Sequence, residues 1–332
     1  MFQYLSTGNP VYLPSRFWDT LNKKNLEHLE SDDGYENFKQ TIARNYFTFF
    51  VWPGNNQFRY LLRKTKSSAW LSILKGLFAS DPSPQLHRLQ KISLTIFTRM
   101  LWQYVESIDV QGLLKSLEEP QEGNPFKICQ EGRLISQDLA NSVLEYYSIR
   151  EHFNPSEYGL TRICELGAGY GRNAYVFMQA FPNCKYIIID IPPALYIAQR
   201  YLSSVFKHKK IFTFRPFENY SEVHEELQLS DLAFLLPHQA ELLPQKTVDL
   251  FVNISSLHEM RMDQIRAYFS LIDRLTKGYF YMKQWFVSRN PYDRIIIKHT
   301  DYPVPGNWKK VYLRKARVQG SFFEAMYEIN SF

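Results

Sequence analysis

The sequence has few cysteines. Its 332 residues include three, Cys129, Cys164 and Cys184, and none of them stands in a Cys-x-x-Cys pair. Zinc ribbons and disulfide scaffolds need paired or clustered cysteines, so both are excluded. A chain of this length can bury most of its apolar surface without such supports, and the low count is typical of a reducing compartment.

Long hydrophobic runs are also lacking. The first residues, MFQYLSTGNPVYLP, show neither the basic nor the apolar region of a secretory signal. The longest apolar stretch, residues 92–105, is too short to cross a bilayer and contains Arg99. We therefore expect a cytoplasmic protein without a transmembrane segment, and attachment to the inner face of the membrane stays open.

Acidic residues are slightly fewer than basic residues. The sequence holds 39 Lys and Arg against 33 Asp and Glu, which gives a net charge of +6. This excess favours an anionic partner, such as a nucleotide-linked substrate or a membrane surface, but an ordinary basic surface accounts for it equally well.

Aromatic residues are abundant, with 25 Phe, 22 Tyr and 6 Trp, and most of them are expected in the core.

The spacing of apolar residues divides the chain into two parts. Before about residue 155, apolar residues recur at helical spacing. The helices predicted from this spacing cover 16–29, 33–47, 67–78, 86–105 and 136–152. We interpret residues 1–155 as a helical N-terminal domain that closes over the substrate and selects it. Residues 156–332 then form the domain that carries the chemistry, and the first 115 residues match no known pattern.

Short runs rich in Ile, Val, Phe and Tyr alternate with helical stretches in the second part. Such alternation predicts right-handed crossovers and a mostly parallel sheet. The predicted strands are 161–166, 185–189, 232–236, 248–254, 278–286, 308–315 and 322–329, with a further short strand considered at 211–216. The last two strands surround a Gln-Gly turn, which favours an antiparallel hairpin. The fold class is thus α/β, with a Rossmann-like, seven-stranded, mostly parallel sheet and a C-terminal antiparallel hairpin.

The strongest local signal is the loop 165–172, Glu-Leu-Gly-Ala-Gly-Tyr-Gly-Arg, between a predicted strand and a predicted helix. Its glycines permit a tight turn and a close approach of the backbone to a ligand. The nicotinamide fingerprint is GxGxxG, but Gly171 falls one position too early for it, which disfavours a dehydrogenase. Asp190 ends the second strand, where an acid can accept hydrogen bonds from both hydroxyls of a ribose.

This E-x-G-x-G-x-G arrangement resembles the first motif of the class I S-adenosylmethionine-dependent methyltransferases. The resemblance implies S-adenosyl-L-methionine as the cofactor. The residues assigned to cofactor binding are Glu165, Gly167, Ala168, Gly169, Gly171, Arg172, Asp190, Ile191, His238, Gln239 and Asn253. A simple polar loop is the alternative for His238 and Gln239, and a buried structural role is the alternative for Asn253.

Five segments carry a more specific resemblance. They are PQEGNP, GRLISQDLANSVLEYYSI, ICELGAGYGRNAYVF, KYIIIDIPPALYIAQRYLS and NISSLHEM. Over about residues 118–290 they are similar to a bacterial family of sugar O-methyltransferases. The resemblance implies methylation of a sugar hydroxyl in a surface glycan or in its nucleotide- or lipid-linked precursor. Two alternatives stay open: methylation of another small molecule or a lipid, and a non-catalytic subunit that only keeps the cofactor fold.

A hydroxyl acceptor needs a base, because a sugar hydroxyl is a poor nucleophile at neutral pH. His258 follows the fourth parallel strand, at the edge where open sheets bind ligands, and is the predicted general base. Glu259 is predicted to orient this histidine or to bind substrate hydroxyls. The alternative is that His258 caps the following helix while Glu259 pairs with Arg261 or Arg266.

Three further residues are weaker candidates for contact with the acceptor. Asp138 could accept a hydrogen bond, Lys283 could face an anion, and Trp285 could stack on a sugar ring; ordinary packing or solvent exposure is the alternative for each. The acids and histidines near the predicted site form no evident octahedral oxygen site, so no metal is expected. No Asn/Asp-Pro-Pro-Tyr/Phe motif follows the fourth strand, which disfavours a nucleic-acid substrate, and the oligomeric state stays open.

Overall fold

The structure is a computed structural model that describes residues 1–31, 34–40, 54–83, 86–155 and 159–329. The strands in these ranges are β1 (Ile128–Gln130), β2 (Arg133–Ile135), β3 (Arg162–Leu166), β4 (Lys185–Ile189), β5 (Ile211–Phe212), β6 (Leu232–Leu235), β7 (Val248–Ile254), β8 (Thr276–Trp285), β9 (Val287–Asn290), β10 (Ile295–Lys298), β11 (Trp308–Lys315) and β12 (Phe322–Ile329). The α-helices are α1 (Phe2–Leu5), α2 (Arg16–Leu29), α3 (Asn55–Lys64), α4 (Trp70–Ala79), α5 (Arg88–Glu106), α6 (Leu113–Ser116), α7 (Gln137–Arg150), α8 (Arg172–Ala180), α9 (Ala194–Val205), α10 (His224–Leu229), α11 (Pro237–Ala240) and α12 (Met262–Leu275).

One large sheet organises the C-terminal half. Its strand order is β5-β6-β4-β3-β7-β8-β12-β11. The neighbours from β5 to β8 run parallel, whereas β12 pairs antiparallel with both β8 and β11. The α/β class, the mostly parallel sheet and the C-terminal hairpin are therefore confirmed. The seven predicted strands are present, and β5, two residues long, adds an eighth at the edge.

Burial on both faces explains the apolar strands of this sheet. All seven residues of β7 are buried, as expected for a parallel strand that is covered on both faces. Successive residues of this strand enter different hydrophobic clusters, since Phe251 belongs to one and Val252 to the other. The register sets Leu166 opposite both Ile189 and Asn253. The loops after β3, β4 and β7 consequently meet at one edge.

The N-terminal helices pack directly against one face of the sheet. A single hydrophobic cluster contains Trp102 of α5, Tyr146 of α7, Phe177 of α8 and Tyr186 of β4. The rings of Tyr146 and Phe177 lie 5.3 Å apart, and those of Phe177 and Tyr186 lie 6.2 Å apart. The boundary near residue 155 stays a prediction, but helix α7 on its N-terminal side is part of the same core as the sheet.

Some elements differ from the sequence-based prediction. Of the helix predicted over 33–47, the part 34–40 contains turns and one 3-10 turn at Phe38–Gln40, while residue 33 and 41–47 lie outside the described residues. The hairpins β1–β2 and β9–β10 were not predicted, because strands of three or four residues are too short to show a period. In the described ranges, no helix is long and apolar enough to cross a bilayer.

A buried carboxylate connects α7 to the sheet and to α8. Glu145, 1% exposed, accepts hydrogen bonds from Arg172 Nη1 at 2.7 Å and from Lys283 Nζ at 2.8 Å. Burial alone would raise the pKa of Glu145, but the charges and hydrogen bonds of the two cations outweigh it and hold this pKa below its ordinary value. The contact joins three elements that are far apart in sequence.

We predict that Glu145→Gln lowers the free energy of unfolding by about 3–5 kcal/mol, because it leaves two buried cations without their anion. Because the folded-state pKa is lowered, the wild-type contribution is present above the ordinary glutamate pKa and is lost as pH falls through the lowered value. Urea unfolding at several pH values measures both effects.

Glu151→Gln is the matched control. Glu151 also binds two cations, Arg314 and Arg317, but all three side chains are about one-third exposed. Its loss should cost less than about 1 kcal/mol. Equal costs for the two substitutions would show that burial of the Glu145 contact adds nothing to stability.

Candidate active site

A cleft opens where β3, β4 and β7 end. It contains about 950 Å³ of empty space, with the solvent at its mouth included. Its walls include the glycine loop after β3, Asp190 and Ile191 after β4, and residues 254–256 after β7. This is the edge at which open parallel sheets bind their ligands.

The glycine loop needs glycine at its first and third positions for steric reasons. Gly167 has φ +72°, and a Cβ there would lie 2.3 Å from Ser256 Oγ. Gly171 has φ +89°, and a Cβ there would lie 2.5 Å from Leu202. Gly167, Ala168 and Gly169 line the cleft, whereas Gly171 begins α8 and packs inward. The loop therefore offers its backbone to the cleft at three of the predicted positions.

Asp190 is fixed at the centre of the cleft wall. Its Oδ2 accepts a hydrogen bond from Gly169 N at 3.0 Å, and its Oδ1 accepts one from Ile191 N at 2.8 Å. Burial raises the pKa of Asp190 to about 7, although these two hydrogen bonds oppose the shift. Each carboxylate oxygen keeps a second lone pair with which it can accept a hydrogen bond.

Two predicted cofactor residues mainly hold the loop in place. Glu165 lines the cleft but is 1% exposed, and its carboxylate accepts from Asn173 Nδ2 at 2.9 Å and from the Tyr186 hydroxyl at 2.8 Å. Burial raises its pKa. Arg172 also lines the cleft, but its guanidinium donates to Ser142 Oγ and Glu145.

His238 and Gln239, which are predicted to contact the cofactor, pack against other parts of the protein. Neither residue is among those that line the cleft, although their neighbour Pro237 is. The Gln239 amide donates to Arg215 O at 2.8 Å and accepts from Leu236 N, so it ties two loops together. The His238 ring packs edge-on against Tyr4, 4.7 Å between centroids, and burial lowers its pKa. The N-terminal residue Tyr4 thus packs on His238, and the assignment of His238 and Gln239 to the cofactor stays a prediction.

A chain of hydrogen bonds runs from the glycine loop to His258. Asn253 Nδ2 donates to Leu166 O at 2.9 Å, and Gln284 Nε2 donates to Asn253 Oδ1 at 2.5 Å. Gln284 Oε1 then lies 2.8 Å from His258 Nδ1. Because this oxygen can only accept, Nδ1 carries the proton and Nε2 keeps its lone pair. Asn253 is buried and held by these hydrogen bonds, as its structural alternative expects, and its contact with the cofactor stays a prediction.

His258 and Glu259 are neighbours with different access to the cleft. Glu259 lines it, whereas His258 is 4% exposed and lies behind, with Nε2 3.7 Å from Glu259 Oε1. Burial lowers the pKa of His258 to about 4. Burial, and then the charge of Asp190, raises the pKa of Glu259 well above its usual range. The alternative pairing of Glu259 is not seen, because Arg261 binds Asp263 instead.

The weaker acceptor candidates lie apart from one another. Lys283 is 3% exposed and bound to Glu145, so it neither faces an open anion site nor lies in solvent. Trp285 packs on Phe322, 4.5 Å between centroids, beside a separate open groove. Asp138 Oδ2 accepts from the Tyr170 hydroxyl at 2.9 Å. Local sequence does not reveal these partners, because each lies more than 30 residues away.

Asp138 faces a second recess, here called the inner cavity, with about 410 Å³ of empty space that includes the solvent at its mouth. Gln137, Thr98 and Tyr170 are among the residues that line it. Asp138 Oδ1, Gln137 Nε2 and Thr98 Oγ1 are buried there without a hydrogen-bond partner in the described part of the chain. Adjacent residues of the glycine loop face the cleft and the inner cavity. Gly169 lines the cleft, and Tyr170 lines the inner cavity. Buried polar atoms normally have hydrogen-bond partners, so this cavity is suited to a polar ligand.

The N-terminal segment forms one wall of the cleft, which no signal in the sequence predicts. Tyr12, Pro14, Ser15 and Trp18 line it. Ser15 Oγ donates to Glu259 O at 3.4 Å, and Gln264 Nε2 donates to Leu13 O at 2.9 Å, which fastens this segment across the sheet edge. No periodicity marks residues 6–15 in the sequence, and their partners lie about 250 positions further on.

The cleft has the features that an S-adenosylmethionine site requires. Backbone without side chains borders it at Gly167 and Gly169, and a carboxylate with free lone pairs stands at Asp190. In the part of the chain that the structure describes, no group of three or more His, Cys, Asp and Glu side chains is placed to hold a metal ion.

Several solved structures are similar to this chain. A protein from Pyrococcus horikoshii OT3 is 15% identical, with 59% of this chain and 92% of that chain covered and a TM-score of 0.41. A SAM-dependent methyltransferase from Aquifex aeolicus is 17% identical, with 57% and 97% covered and a TM-score of 0.33. The 1,6-didemethyltoxoflavin-N1-methyltransferase of Burkholderia thailandensis, with bound S-adenosylhomocysteine, is 12% identical, with 76% and 94% covered and a TM-score of 0.38.

Curated proteins offer no match to this chain. Residues 137–218 match the family model of an O-methyltransferase domain. That span begins at α7 and includes the whole glycine loop, Asp190 and β5. The match, on the part of the chain that supplies the glycine loop and Asp190 to the cleft, supports a methyltransferase that uses S-adenosylmethionine.

Proposed function

We propose that the chain is an S-adenosylmethionine-dependent O-methyltransferase that methylates a hydroxyl of a sugar in a bacterial surface glycan or its precursor. One observation carries the proposal: the glycine loop, Asp190 and Glu259 face the same cleft. A cofactor site and a carboxylate able to take a proton are thereby brought together.

The cofactor would be held by the loop and by Asp190. Backbone at Gly167 and Gly169 allows its close approach, and Asp190 accepts hydrogen bonds from the ribose hydroxyls. When bound, S-adenosylmethionine supplies an electrophilic methyl group. The chain's own tasks are then to align the acceptor hydroxyl, to remove its proton and to exclude water.

Glu259 takes the proton from the acceptor hydroxyl in this proposal. It faces the cleft, and its raised pKa makes the ionised carboxylate a stronger base than an ordinary glutamate. His258 stands behind it, with Nε2 3.7 Å from Glu259 Oε1, and positions this carboxylate. Because burial lowers the pKa of His258 to about 4, the proton stays on Glu259 until the open cleft releases it to solvent. The hydrogen-bond chain through Gln284 and Asn253 keeps the imidazole in the tautomer with Nδ1 protonated.

The inner cavity supports a polyhydroxylated acceptor. Its three unpartnered groups are a carboxylate oxygen, an amide N–H and a hydroxyl, at Asp138, Gln137 and Thr98. A sugar offers both donors and acceptors to such a set, and the ring of Tyr170 adds an aromatic surface.

Asp190 gives a test of the cofactor site. We expect Asp190→Asn to weaken binding of S-adenosylhomocysteine by about 10- to 100-fold, since one charge-assisted acceptor is lost. In the wild type, affinity should fall about tenfold per pH unit below pH 7, because the carboxyl group must give up its proton to accept from the ribose. The variant should lack this pH dependence. Titration calorimetry at pH 5.5–8 measures both.

Asp231→Asn is the control, because this aspartate precedes β6 at the opposite edge of the sheet, where its carboxylate accepts from Lys210 N at 2.9 Å. Its affinity should equal that of the wild type. Unchanged affinity in Asp190→Asn, together with a flat wild-type pH profile, would remove Asp190 from the ribose site.

A panel of acceptors tests the reaction itself. Free sugars, nucleotide-linked sugars, catechols, amines and hydroxylated lipids are each incubated with the protein and S-adenosylmethionine, and mass spectrometry with NMR locates the methyl group. We expect an O-methyl sugar, with Asp138→Asn raising KM about tenfold, as expected for the loss of one hydrogen bond to a charged group. A methyl group on nitrogen, or turnover of lipids or catechols alone, contradicts the proposal; binding without any turnover favours a non-catalytic subunit.

Glu259→Gln tests the proton acceptor. The single-turnover rate should fall by about 10²- to 10⁴-fold, while affinity for S-adenosylhomocysteine stays within a few-fold of the wild type. The wild-type rate should rise with pH above the ordinary glutamate range, because the raised pKa keeps Glu259 protonated there. His258→Ala should slow the same step less than Glu259→Gln does, because His258 only positions the carboxylate. A near-normal rate in Glu259→Gln would exclude Glu259 as the proton acceptor.

A further inference from the structure

The positive charge of the chain is concentrated in one short stretch. Residues 55–91 contain seven Lys and Arg against a single acid, Asp81, a net charge of +6. The rest of the sequence holds 32 basic and 32 acidic residues and is neutral. The charge excess of the whole protein therefore comes from this segment, which contains α3, α4 and the start of α5.

These cations are not neutralised within the described ranges. Asp81 binds Lys91, with 2.5 Å between Oδ1 and Nζ. The basic residues of the segment that form no salt bridge with the described residues are Arg59, Arg63, Lys64, Lys66, Lys75 and Arg88. Most of their side chains are exposed, so their field extends into solvent.

Helix α4 presents an apolar stripe among these cations. Leu71, Leu74 and Phe78 are 65%, 48% and 95% exposed, and their spacing of three and seven residues puts them on one side of the helix. Lys75 lies on the same side and is also exposed. We call these four residues the α4 face.

The opposite side of α4 is packed against the rest of the protein. The helix therefore cannot rotate to bury the α4 face. Ile73 and Gly76 are buried there. A Cβ at Gly76 would lie 2.1 Å from Arg99 Cζ, and Arg99 Nη2 donates to Ser72 O at 2.8 Å. The guanidinium thus fixes the helix against α5.

We propose that the α4 face is a docking surface for a bilayer that contains anionic lipids. Insertion of Leu71, Leu74 and Phe78 into the interface would bury the exposed apolar area, while Lys75 on the same face and Lys66 just before α4 meet the lipid phosphates. Charge argues against a second copy of the chain as the occupant, because a two-fold interface would place this +6 segment against itself.

Flotation with lipid vesicles tests the proposal on the full chain. At about 50 mM NaCl the protein should bind phosphatidylcholine vesicles with about 30% phosphatidylglycerol at least tenfold more strongly than phosphatidylcholine alone, and about 500 mM NaCl should abolish this preference. Leu71→Ser/Phe78→Ser should lower binding at least tenfold, and so should Lys66→Glu/Lys75→Glu, since each basic residue contributes about fivefold.

Leu229→Ser is the matched control, because Leu229 is 62% exposed on α10 beside the acidic Glu225 and Glu226. It should bind vesicles as the wild type does. All variants change exposed side chains, so their melting temperatures and their affinity for S-adenosylhomocysteine should be those of the wild type, which verifies folding.

Three outcomes would overturn the proposal. The first is no vesicle binding by the wild type at low salt, and the second is binding that the α4 variants do not reduce more than Leu229→Ser does. The third is a dimer in light scattering that Leu71→Ser/Phe78→Ser converts to a monomer, because a second copy would then be the occupant of the α4 face.

Discussion

The buried carboxylate of Glu145 is the contact on which the arrangement of the cleft depends. It holds Arg172, the first residue of α8, and Lys283 near the end of β8. A charge buried this deeply is tolerated only when it is paired and hydrogen-bonded. The orientation of α7 against the glycine loop is therefore set by electrostatics as well as by packing. Asp138 and the inner cavity take their place from the first turn of the same helix.

A second hydrogen-bond network connects the glycine loop to His258. The amides of Asn253 and Gln284 link the carbonyl of Leu166 to the imidazole of His258. Each amide donates in one direction and accepts in the other, so the orientation of one fixes the next. The loop that would hold the cofactor and the residues that would handle the proton consequently belong to one rigid unit. A change at either end is transmitted through side chains that touch neither ligand.

What the sequence could predict depended on how far apart the interacting residues are. Gly167, Gly169 and Asp190 were found because loop, strand and acid follow one another within a single β-α-β unit. Alternating strands and helices gave the sheet for the same reason. The contacts of His238 and Lys283 with Tyr4 and Glu145 were not predicted, because these partners are more than 100 residues away. Tyr12 was missed because it lies in a short segment without a period, and Trp18 because the predicted helix 16–29 does not by itself show what it packs against.

The fastening of the N-terminal segment also bears on how the molecule assembles. Ser15 bonds to Glu259 across 244 positions, and the amides of residues 16 and 17 bond to Asp293 across 277 and 276. Contacts of such sequence separation have a high loop-closure cost and form after local ones. During synthesis, the first eighteen residues leave the ribosome long before their partners exist. The mouth of the cleft is thus completed only when nearly the whole chain has been made.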